Sequence, residues 1–421
     1  MKRRILRRLT ALGLVTAGLI GATPAMAEPV GVAQGAAGWL ARQLVDGERM
    51  ETVFDGVAYP DYGLTADVVF ALDAAGVAQD FAAKATNWLA GDVAGYVGDG
   101  TAEAYAGPHA KLALVAQAQG LDPTAFGGVD LLARLRALQT ASGRLSDKSG
   151  TDYSNGISQS LGVLALDRAG DAPGLAADYL AGSACPDGGF PLYLEQATCA
   201  SDVDTTGFAV QALIAADRGT AATAGLTWLV GKQQAGGGFG GSGPTSAVNA
   251  NSTGLAAVAL RVGGKTEAAD KAVAYLKSLQ VGCTGAPANQ GAIAYDANGF
   301  QPGNAPRATA QGVPGLVGVG LAMVSKQGAT AADPRLDCVV PTTSTDPTTT
   351  QPTSTTTTVT TSTSTAVPAT TTTPAPVVQR GDLADTGVAV GPALWLGSLL
   401  LLAGSGAVLV SRRRFTKAGK R

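Results

Sequence analysis

The chain has 421 residues, 46% of them hydrophobic, which is enough apolar material for a large folded core. Five of its 30 Lys and Arg residues lie in the first eight positions and six in the last ten, where there is no Asp or Glu; the stretch between them carries 19 basic against 32 acidic residues. This acidic balance excludes nucleic acid as a partner, because phosphate binding needs a positive surface.

The N-terminus has the pattern of a signal peptide. Five basic residues precede an apolar stretch, 9–20, that is too short to span a bilayer. Ala25-Met26-Ala27 then supplies a small-x-small cleavage site. We therefore expect residues 1–27 to be removed on export, with an uncleaved membrane anchor as the alternative.

Residues 28–340 predict one large domain built from internal repeats. A similar segment recurs every 45 to 49 residues, and a Gly-rich turn follows most copies. The six copies are Trp39-Leu40, Trp88-Leu89, Arg134-Leu135, Tyr179-Leu180, Trp228-Leu229 and Tyr275-Leu276. Each copy mixes charged and apolar residues, which is typical of a helix on the outside of a repeat protein.

A second segment follows the first in each repeat, and small or apolar residues occupy nearly every side of it. Examples are 64–75, 110–117, 157–166, 206–215 and 254–260. A helix that is apolar all round belongs in the interior of a larger assembly. We expect an all-α fold, an α6/α6 toroid in which six helical hairpins close into an inner and an outer ring of helices.

All four cysteines lie in this domain, and an even number in an exported chain predicts two disulfides. Four cysteines allow three pairings. We favour Cys185–Cys199, which closes a short loop, and Cys283–Cys338, which ties the last segment of the domain to its final repeat.

Residues 341–380 are mostly Thr, with Pro and Ser and few apolar residues. Such a segment cannot bury enough surface to offset its ordering entropy. We expect a disordered Thr/Pro-rich stalk.

The C-terminal segment 383–421 has three parts in a characteristic order. The pentapeptide Leu383-Ala384-Asp385-Thr386-Gly387 is followed by an apolar run, 388–410, of the length of a transmembrane helix, and then by a basic tail. The order resembles a sortase sorting signal of the actinobacterial Leu-Ala-x-Thr-Gly type. That resemblance implies that sortase cleaves after Thr386 and attaches the exported protein to peptidoglycan, so that the transmembrane helix belongs to the precursor. An ordinary single-span anchor is the alternative.

The repeat itself resembles a known family. The stretch 228–239, Trp-Leu-x-x-x-Gln followed by a glycine-aromatic turn, resembles the repeat of squalene cyclases and protein prenyltransferase β-subunits. Cobalamin carriers of the transcobalamin type and complement thioester domains share the same α/α-toroid. The resemblance covers nearly all of 30–330 and implies that fold, which hosts many activities.

One motif resembles a catalytic site of that family. Asp202-Val203-Asp204-Thr205-Thr206 resembles the acid motif of class II terpene cyclases, and the resemblance makes Asp204 the acid that protonates an alkene, beside Asp202 and Thr205. Only 22 of the 421 residues are Phe, Trp or Tyr, which argues against a pocket that stabilises carbocations. The alternative interpretation is a helix N-cap.

Two other chemistries of the family are excluded. The zinc site of prenyltransferases needs His with an Asp-x-Cys companion, which the lone His109 lacks. A thioester needs Glu-Gln after the Cys, which Cys283 lacks. We therefore expect no metal and no cofactor.

Ligand binding is the remaining possibility. The stretch 203–209 resembles a segment of the cobalamin carriers whose polar groups face the ligand, so a corrinoid is one candidate, although the second domain of those carriers is missing. Polar residues where inner helices begin would ring the mouth of the barrel: Thr65, Asp67, His109, Gln159, Asp204, Thr205, Asn251, Thr253 and Gln311. They are otherwise caps and hydrogen-bonded interior groups.

The sequence thus favours a wall-anchored, monomeric protein whose toroid is a non-catalytic binding or display module for a small-molecule or peptide ligand. A terpenoid cyclase-like enzyme and a purely structural adhesin or spacer are the alternatives. An open polar cavity would favour binding, an aromatic-lined cavity the cyclase, and a filled barrel the spacer.

Overall fold

The computed structural model describes residues 31–338. The predicted signal peptide, stalk, sorting signal and membrane span lie outside the described residues, and the domain limits 28 and 340 stay predictions. Within 31–338 the chain forms thirteen α-helices and three short antiparallel hairpins, so the all-α prediction is confirmed. The helices of this stretch include none that is both long and apolar enough for a bilayer span.

Twelve of these helices alternate between an inner and an outer position. The inner helices are α2 (Tyr62–Ala75), α5 (Ala106–Ala118), α7 (Gly156–Arg168), α9 (Val203–Ala215), α11 (Ala250–Val262) and α13 (Ala305–Val317). The outer helices are α1 (Val32–Ala41), α3 (Gln79–Gly91), α6 (Leu131–Ala137), α8 (Gly174–Gly182), α10 (Gly219–Lys232) and α12 (Thr266–Ser278). A short helix, α4 (Val93–Val97), lies between α3 and α5.

The inner helices close into a ring. Each packs against the next along the chain, and α13 packs against α2. The outer helix α1 contacts both α13 and α2. Side chains also join the last repeat to the first, since Gln280 Nε2 donates to the carbonyl of Val32 (2.8 Å) and Trp39 Nε1 to that of Ala288 (2.9 Å). The molecule is therefore a closed toroid rather than an open superhelix.

Small residues allow the inner helices to approach closely, as the sequence predicts. A Cβ atom on Gly254 of α11 would lie 2.2 Å from the carbonyl oxygen of Gln311 on α13. Any side chain at that position would force the two helices apart.

A buried threonine near the start of several inner helices holds the preceding turn in place. The backbone N–H groups of Met50, Phe190 and Phe239 donate to the hydroxyls of the threonines at positions 65, 206 and 253, each at 2.9 Å. The incoming chain forms a hairpin at each of these places: β1 (Glu51–Phe54) with β2 (Val57–Pro60), β3 (Phe190–Pro191) with β4 (Ser201–Asp202), and β5 (Phe239–Gly240) with β6 (Val248–Asn249). The sequence analysis did not predict these hairpins.

The Gln and the glycine of the repeat motif join one repeat to the next. Gln233 Nε2 donates to the carbonyls of Gly237 (2.9 Å) and Ala268 (2.8 Å), the latter on α12. Gly237 has a φ of +88°, and a Cβ there would lie 2.3 Å from the carbonyl oxygen of Lys271. The turn packs tightly on the next outer helix because this residue is glycine.

The C-terminal ends of the inner helices are covered by the last described segment, 319–338, here called the strap. The guanidinium of Arg168, the last residue of α7, donates to the carbonyls of Leu321 (2.6 Å) and Val324 (2.8 Å). The N–H of Lys326 donates to the carbonyl of Ala118 at the end of α5 (3.0 Å). Carbonyls that a helix end leaves free are thus bonded within the chain.

Both favoured disulfides are present. Cys185–Cys199 closes a loop before α9, and Cys283–Cys338 ties the end of the strap to the loop after α12. Such bonds form and persist in oxidising compartments, so they point to an extracellular location.

Candidate functional site

The barrel encloses a cavity of about 600 Å³ among the N-terminal halves of the inner helices. Tyr153 and Tyr193 line it and are 42% and 46% exposed, so the cavity reaches the surface beside them. A smaller cavity of about 50 Å³ lies next to it and is lined in part by Val319 and Leu321 of the strap. The space is accordingly open at one end of the barrel and covered at the other.

Two positions recur in the lining of this cavity from each inner helix. Counted from the first helical residue, these are positions 2 and 6, which lie on one side of a helix because they are four residues apart. In chain order the pairs are Gly63 and Asp67, Gly107 and Lys111, Ile157 and Leu161, Asp204 and Phe208, and Asn251 and Leu255; in α13 they fall one position later, at Arg307 and Gln311. The helices α5, α7 and α11 add position 3 to the lining, as Pro108, Ser158 and Ser252.

The structure brings four of the nine predicted mouth residues to the cavity, namely Asp67, Asp204, Asn251 and Gln311. The other five, Thr65, His109, Gln159, Thr205 and Thr253, lie outside its lining. Four of these occupy position 4, which is turned toward the loops. Gln159, for example, accepts from the N–H of Leu145 (2.8 Å) and donates to the carbonyls of Gly143 and Ala176. Gln159 and the threonines at position 4 thus hold turns in place, which explains why they are polar, whereas His109, within 31–338, bonds only to the carbonyl of Tyr105 at the start of its own helix.

His109 is completely buried. Its Nδ1 bonds to the carbonyl of Tyr105 at 2.8 Å, so Nδ1 carries the proton, while Nε2 has no partner among the described residues. Burial lowers the pKa of His109 to about 4, so the ring is neutral at physiological pH.

Asp202 is the N-cap of α9, as the alternative interpretation of the motif predicts. Its Oδ1 accepts from the N–H (2.7 Å) and the hydroxyl (2.8 Å) of Thr205, and its Oδ2 accepts from the hydroxyl of Ser242 (2.8 Å). Both oxygens are therefore hydrogen-bonded, and the side chain is 5% exposed. The cap interpretation therefore describes Asp202, whereas the acid-motif interpretation concerns Asp204 and stays a prediction.

Asp204 differs from Asp202 in its surroundings. It lines the cavity, and its Oδ1 is buried and accepts no hydrogen bond from any residue of 31–338. Burial, and then the negative charge of Asp202, raise the pKa of Asp204 to about 7, while a hydrogen bond with Ser252 acts in the opposite direction. A carboxyl group that keeps its proton near neutral pH can act as a general acid.

The side of the cavity formed by α2, α5 and α13 carries charges that are paired. Lys111 Nζ lies 2.6 Å from Asp67 Oδ1, and Arg307 lies 2.8 Å from Asp61 Oδ2 and 3.8 Å from Asp67 Oδ2. Lys111 also donates to the carbonyl of Gly63 (3.1 Å). The sequence analysis missed both cations.

Aromatic rings are concentrated at the cavity. Six of the 22 aromatic residues of the chain line it: Tyr96, Tyr105, Tyr153, Tyr193, Phe208 and Tyr295. A low aromatic content of the whole chain therefore does not argue against cation chemistry, because the rings are not evenly spread. Ring faces attract cations by their quadrupole.

A further carboxyl group in the lining was also missed. Asp147 Oδ1 accepts from the N–H of Ala106 (2.7 Å) and Oδ2 from that of Tyr153 (3.2 Å). Burial raises the pKa of Asp147 to about 6. No group of three His, Cys, Asp or Glu residues in 31–338 is arranged to hold a metal ion.

No protein-family model matches this sequence, and no curated protein matches it either. Solved structures do match. A protein from Actinoplanes has a TM-score of 0.51 at 15% identity, over 68% of this chain and 97% of that one. A type II terpene cyclase from Scytonema has a TM-score of 0.52 at 13% identity, over 68% and 96%.

A variant of the same Scytonema cyclase was solved with its substrate, geranylgeranyl dihydroxybenzoate, and has a TM-score of 0.52 at 14% identity, over 68% of this chain and 95% of that one. At identities this low, the similarity shows a shared fold alone. These structural matches confirm the toroid.

The prediction of a non-catalytic binding or display module is wrong. The named neighbours in this fold are catalytic enzymes, type II terpene cyclases. The cavity combines six aromatic residues, the feature expected of a cyclase, with a polar lining and an open end, the features expected of a binding module. The spacer alternative required a filled barrel, which a cavity of about 600 Å³ contradicts.

Proposed function

We propose that this protein is an exported enzyme of the class II terpene cyclase type, which cyclises a polyprenyl substrate with Asp204 as the initiating acid. The single observation that carries the proposal is Asp204 itself. Its carboxyl group faces the cavity, Oδ1 has no partner within 31–338, and its pKa is raised to about 7.

In the proposed reaction the Asp204 O–H transfers its proton to one carbon of the terminal C=C bond of the substrate. The π electrons form the new C–H bond and leave a tertiary carbocation, which the next C=C bond attacks to close a ring. The final cation loses a proton to a water molecule at the open end of the cavity, which gives a cyclic isomer of the substrate. The Asp204 carboxylate then regains a proton from solvent, so the enzyme is unchanged.

Three features of the cavity support this chemistry. Asp202 keeps both oxygens bonded and places a negative charge beside Asp204, which favours the protonated form of Asp204. Rings such as Phe208 and Tyr295 lie in the same cavity and can stabilise a carbocation. The strap covers the far end of the barrel, which limits the access of water to the cavity from that side.

Deuterium labelling tests the proposal. The purified protein is incubated in D₂O with geranylgeraniol and with squalene, and extracts are analysed by gas chromatography with mass spectrometry. We expect a cyclic product that contains deuterium at the protonated carbon, because the Asp204 proton exchanges with solvent. Asp204→Asn should form none, whereas Asp270→Asn, an exposed charge change on α12, should behave like the parent. Failure of the parent protein to form any cyclic product would refute the proposal.

We also propose that the enzyme is displayed on the cell wall by sortase. The support is the Leu383–Gly387 pentapeptide, which is followed by an apolar run and a basic tail, together with the two disulfides, which are typical of exported proteins. Digestion of peptidoglycan should release the protein from cells, and Thr386→Ala should shift it to the membrane fraction. Equal wall attachment of the two forms would contradict the sortase route.

A further inference from the structure

The charges that line the cavity bear on which substrates it accepts. Within the described chain the titratable acidic and basic lining consists of five carboxyl groups and two cations: Asp61, Asp67, Asp147, Asp202, Asp204, Lys111 and Arg307. Even without Asp204, which is protonated in the proposed mechanism, four carboxyl groups face two cations, so the cavity does not offer a surplus of positive charge.

Both cations are already bound to carboxylates. Lys111 is paired with Asp67 at 2.6 Å, and its side chain is 17% exposed. Arg307 is paired with Asp61 at 2.8 Å, and its side chain is 21% exposed. A diphosphate or carboxylate head would have to displace one of these aspartates from its cation, and the aspartate would then lie in the cavity without the closest positive charge that now balances it. Both the lost pair and the new repulsion between anions oppose that exchange.

The rest of the polar lining is uncharged. It consists of hydroxyl and amide groups, among them Asn251, whose buried Oδ1 accepts no hydrogen bond from a described residue. Such groups can bind a hydroxyl head without any change in the ion pairs.

Resting on the proposed cyclase function, we infer that the substrate of this cavity carries an uncharged head, a polyprenyl alcohol or a hydrocarbon, and that Asp61 and Asp67 exclude the anionic diphosphate. Asp67 is then a specificity-determining residue. Asp67 acts by forming an ion pair with Lys111, the cation that a diphosphate would need.

Two substrates of equal chain length, geranylgeraniol and geranylgeranyl diphosphate, test this inference. We expect kcat/KM for the alcohol to exceed that for the diphosphate at least ~10-fold, the change that about 1.4 kcal/mol produces. In Asp67→Asn, which frees Lys111, the preference should move toward the diphosphate by about the same factor. Asp80→Asn removes an equal charge from an exposed site on α3 and should leave the ratio unchanged.

The dissociation constants of both compounds, measured by calorimetry, separate this inference from the proposed function. Cyclisation of the diphosphate as fast as the alcohol, or tighter binding of the diphosphate, would overturn the uncharged-head inference and leave the cyclase proposal standing. If none of the three compounds, the alcohol, the diphosphate and squalene, gave a cyclic product, the cyclase proposal would be overturned. The ratio of the two dissociation constants would still decide whether the cavity rejects anions.

Discussion

The two ends of the barrel differ in what their unpaired polar atoms face. At the C-terminal ends of the inner helices, carbonyls and the Arg168 guanidinium are bonded to the strap, while Asp73 Oδ2 and Gln117 Oε1 are buried, lack partners among the described residues and lie outside the lining of the cavity. At the N-terminal ends, the Oδ1 atoms of Asp204 and Asn251 also lack such partners, and both residues line the cavity. Each such atom costs about 1–3 kcal/mol of stability. The comparison teaches that both ends carry this cost, and that a molecule bound in the cavity would relieve it at the open end.

The largest test of this contrast is Asp204→Asn at the open end. Asn cannot donate an acidic proton, so we expect kcat to fall ~10³-fold or more, within the usual range for loss of a general acid. Initial rates on the cyclised substrate measure this, with Asp270→Asn as the control.

The same variant should not lose stability. The raised pKa of Asp204 means that its contribution to stability is complete below its ordinary pKa of 3.8 and is lost as pH rises through about 7. The parent should therefore lose stability as pH rises from 4 to 8, whereas Asp204→Asn should not. The difference in Tm between the variant and the parent should accordingly grow in favour of the variant over this range. A variant that unfolds more easily at pH 8 would show that Asp204 is structural.

For the two disulfides the expected effect is on stability instead. Replacing Cys283 and Cys338 by Ser opens a loop with a sequence separation of 55, which should lower the free energy of unfolding by about 4 kcal/mol. The matched change of Cys185 and Cys199, with a separation of 14, should cost about 3 kcal/mol. Urea unfolding under non-reducing conditions measures both. A smaller loss for the longer loop would contradict the dependence on loop length from which these values follow.

A smaller effect is expected for Thr206→Val, two residues from the acid on the same helix. The variant removes the hydroxyl that accepts from the N–H of Phe190 and should cost about 1–2 kcal/mol. Thr227→Val, at an exposed site on α10, should cost less than about 0.5 kcal/mol. If the two losses in chemical unfolding were equal, position 4 would have no role in holding the turns.

The smallest effect is a shift in the pH profile. Activity should fall as pH rises through about 7, because only protonated Asp204 is an acid. Asp202→Asn keeps an oxygen that can cap α9 but removes the neighbouring negative charge, so the pKa of Asp204 should drop and the fall should move to lower pH, by up to about one unit. A profile of kcat against pH measures this. A shift to higher pH would contradict the assigned role of the Asp202 charge.

The fold could be predicted from the sequence because the repeat is a local signal seen six times. Trp39-Leu40 and its five counterparts all lie on outer helices, and the all-apolar segments all lie on inner ones. The hairpins were missed because strands of two to four residues are too short to show a clear periodicity.

The cavity lining was harder to predict, since it depends on how each helix is rotated. Thr65 at position 4 and Asp67 at position 6 of α2 are both polar and buried or nearly so, yet only Asp67 faces the cavity. A signal did exist within the repeats. Position 4 is Thr in α2, α9 and α11, whereas position 2 is Gly63, Asp204 and Asn251 in the same helices. The residue type is thus the same between repeats at a position that supports the fold, and differs between repeats at a position that faces the cavity.

The Cys283–Cys338 bond has a mechanical consequence. It makes residues 284–337, which include α13 and nearly all of the strap, a covalently closed loop. A pull on the chain beyond residue 338 passes through the sulfur atoms into the loop after α12 and carries no tension through the loop itself. The segment that completes the ring and covers one end of the cavity is thereby spared from being peeled away under load.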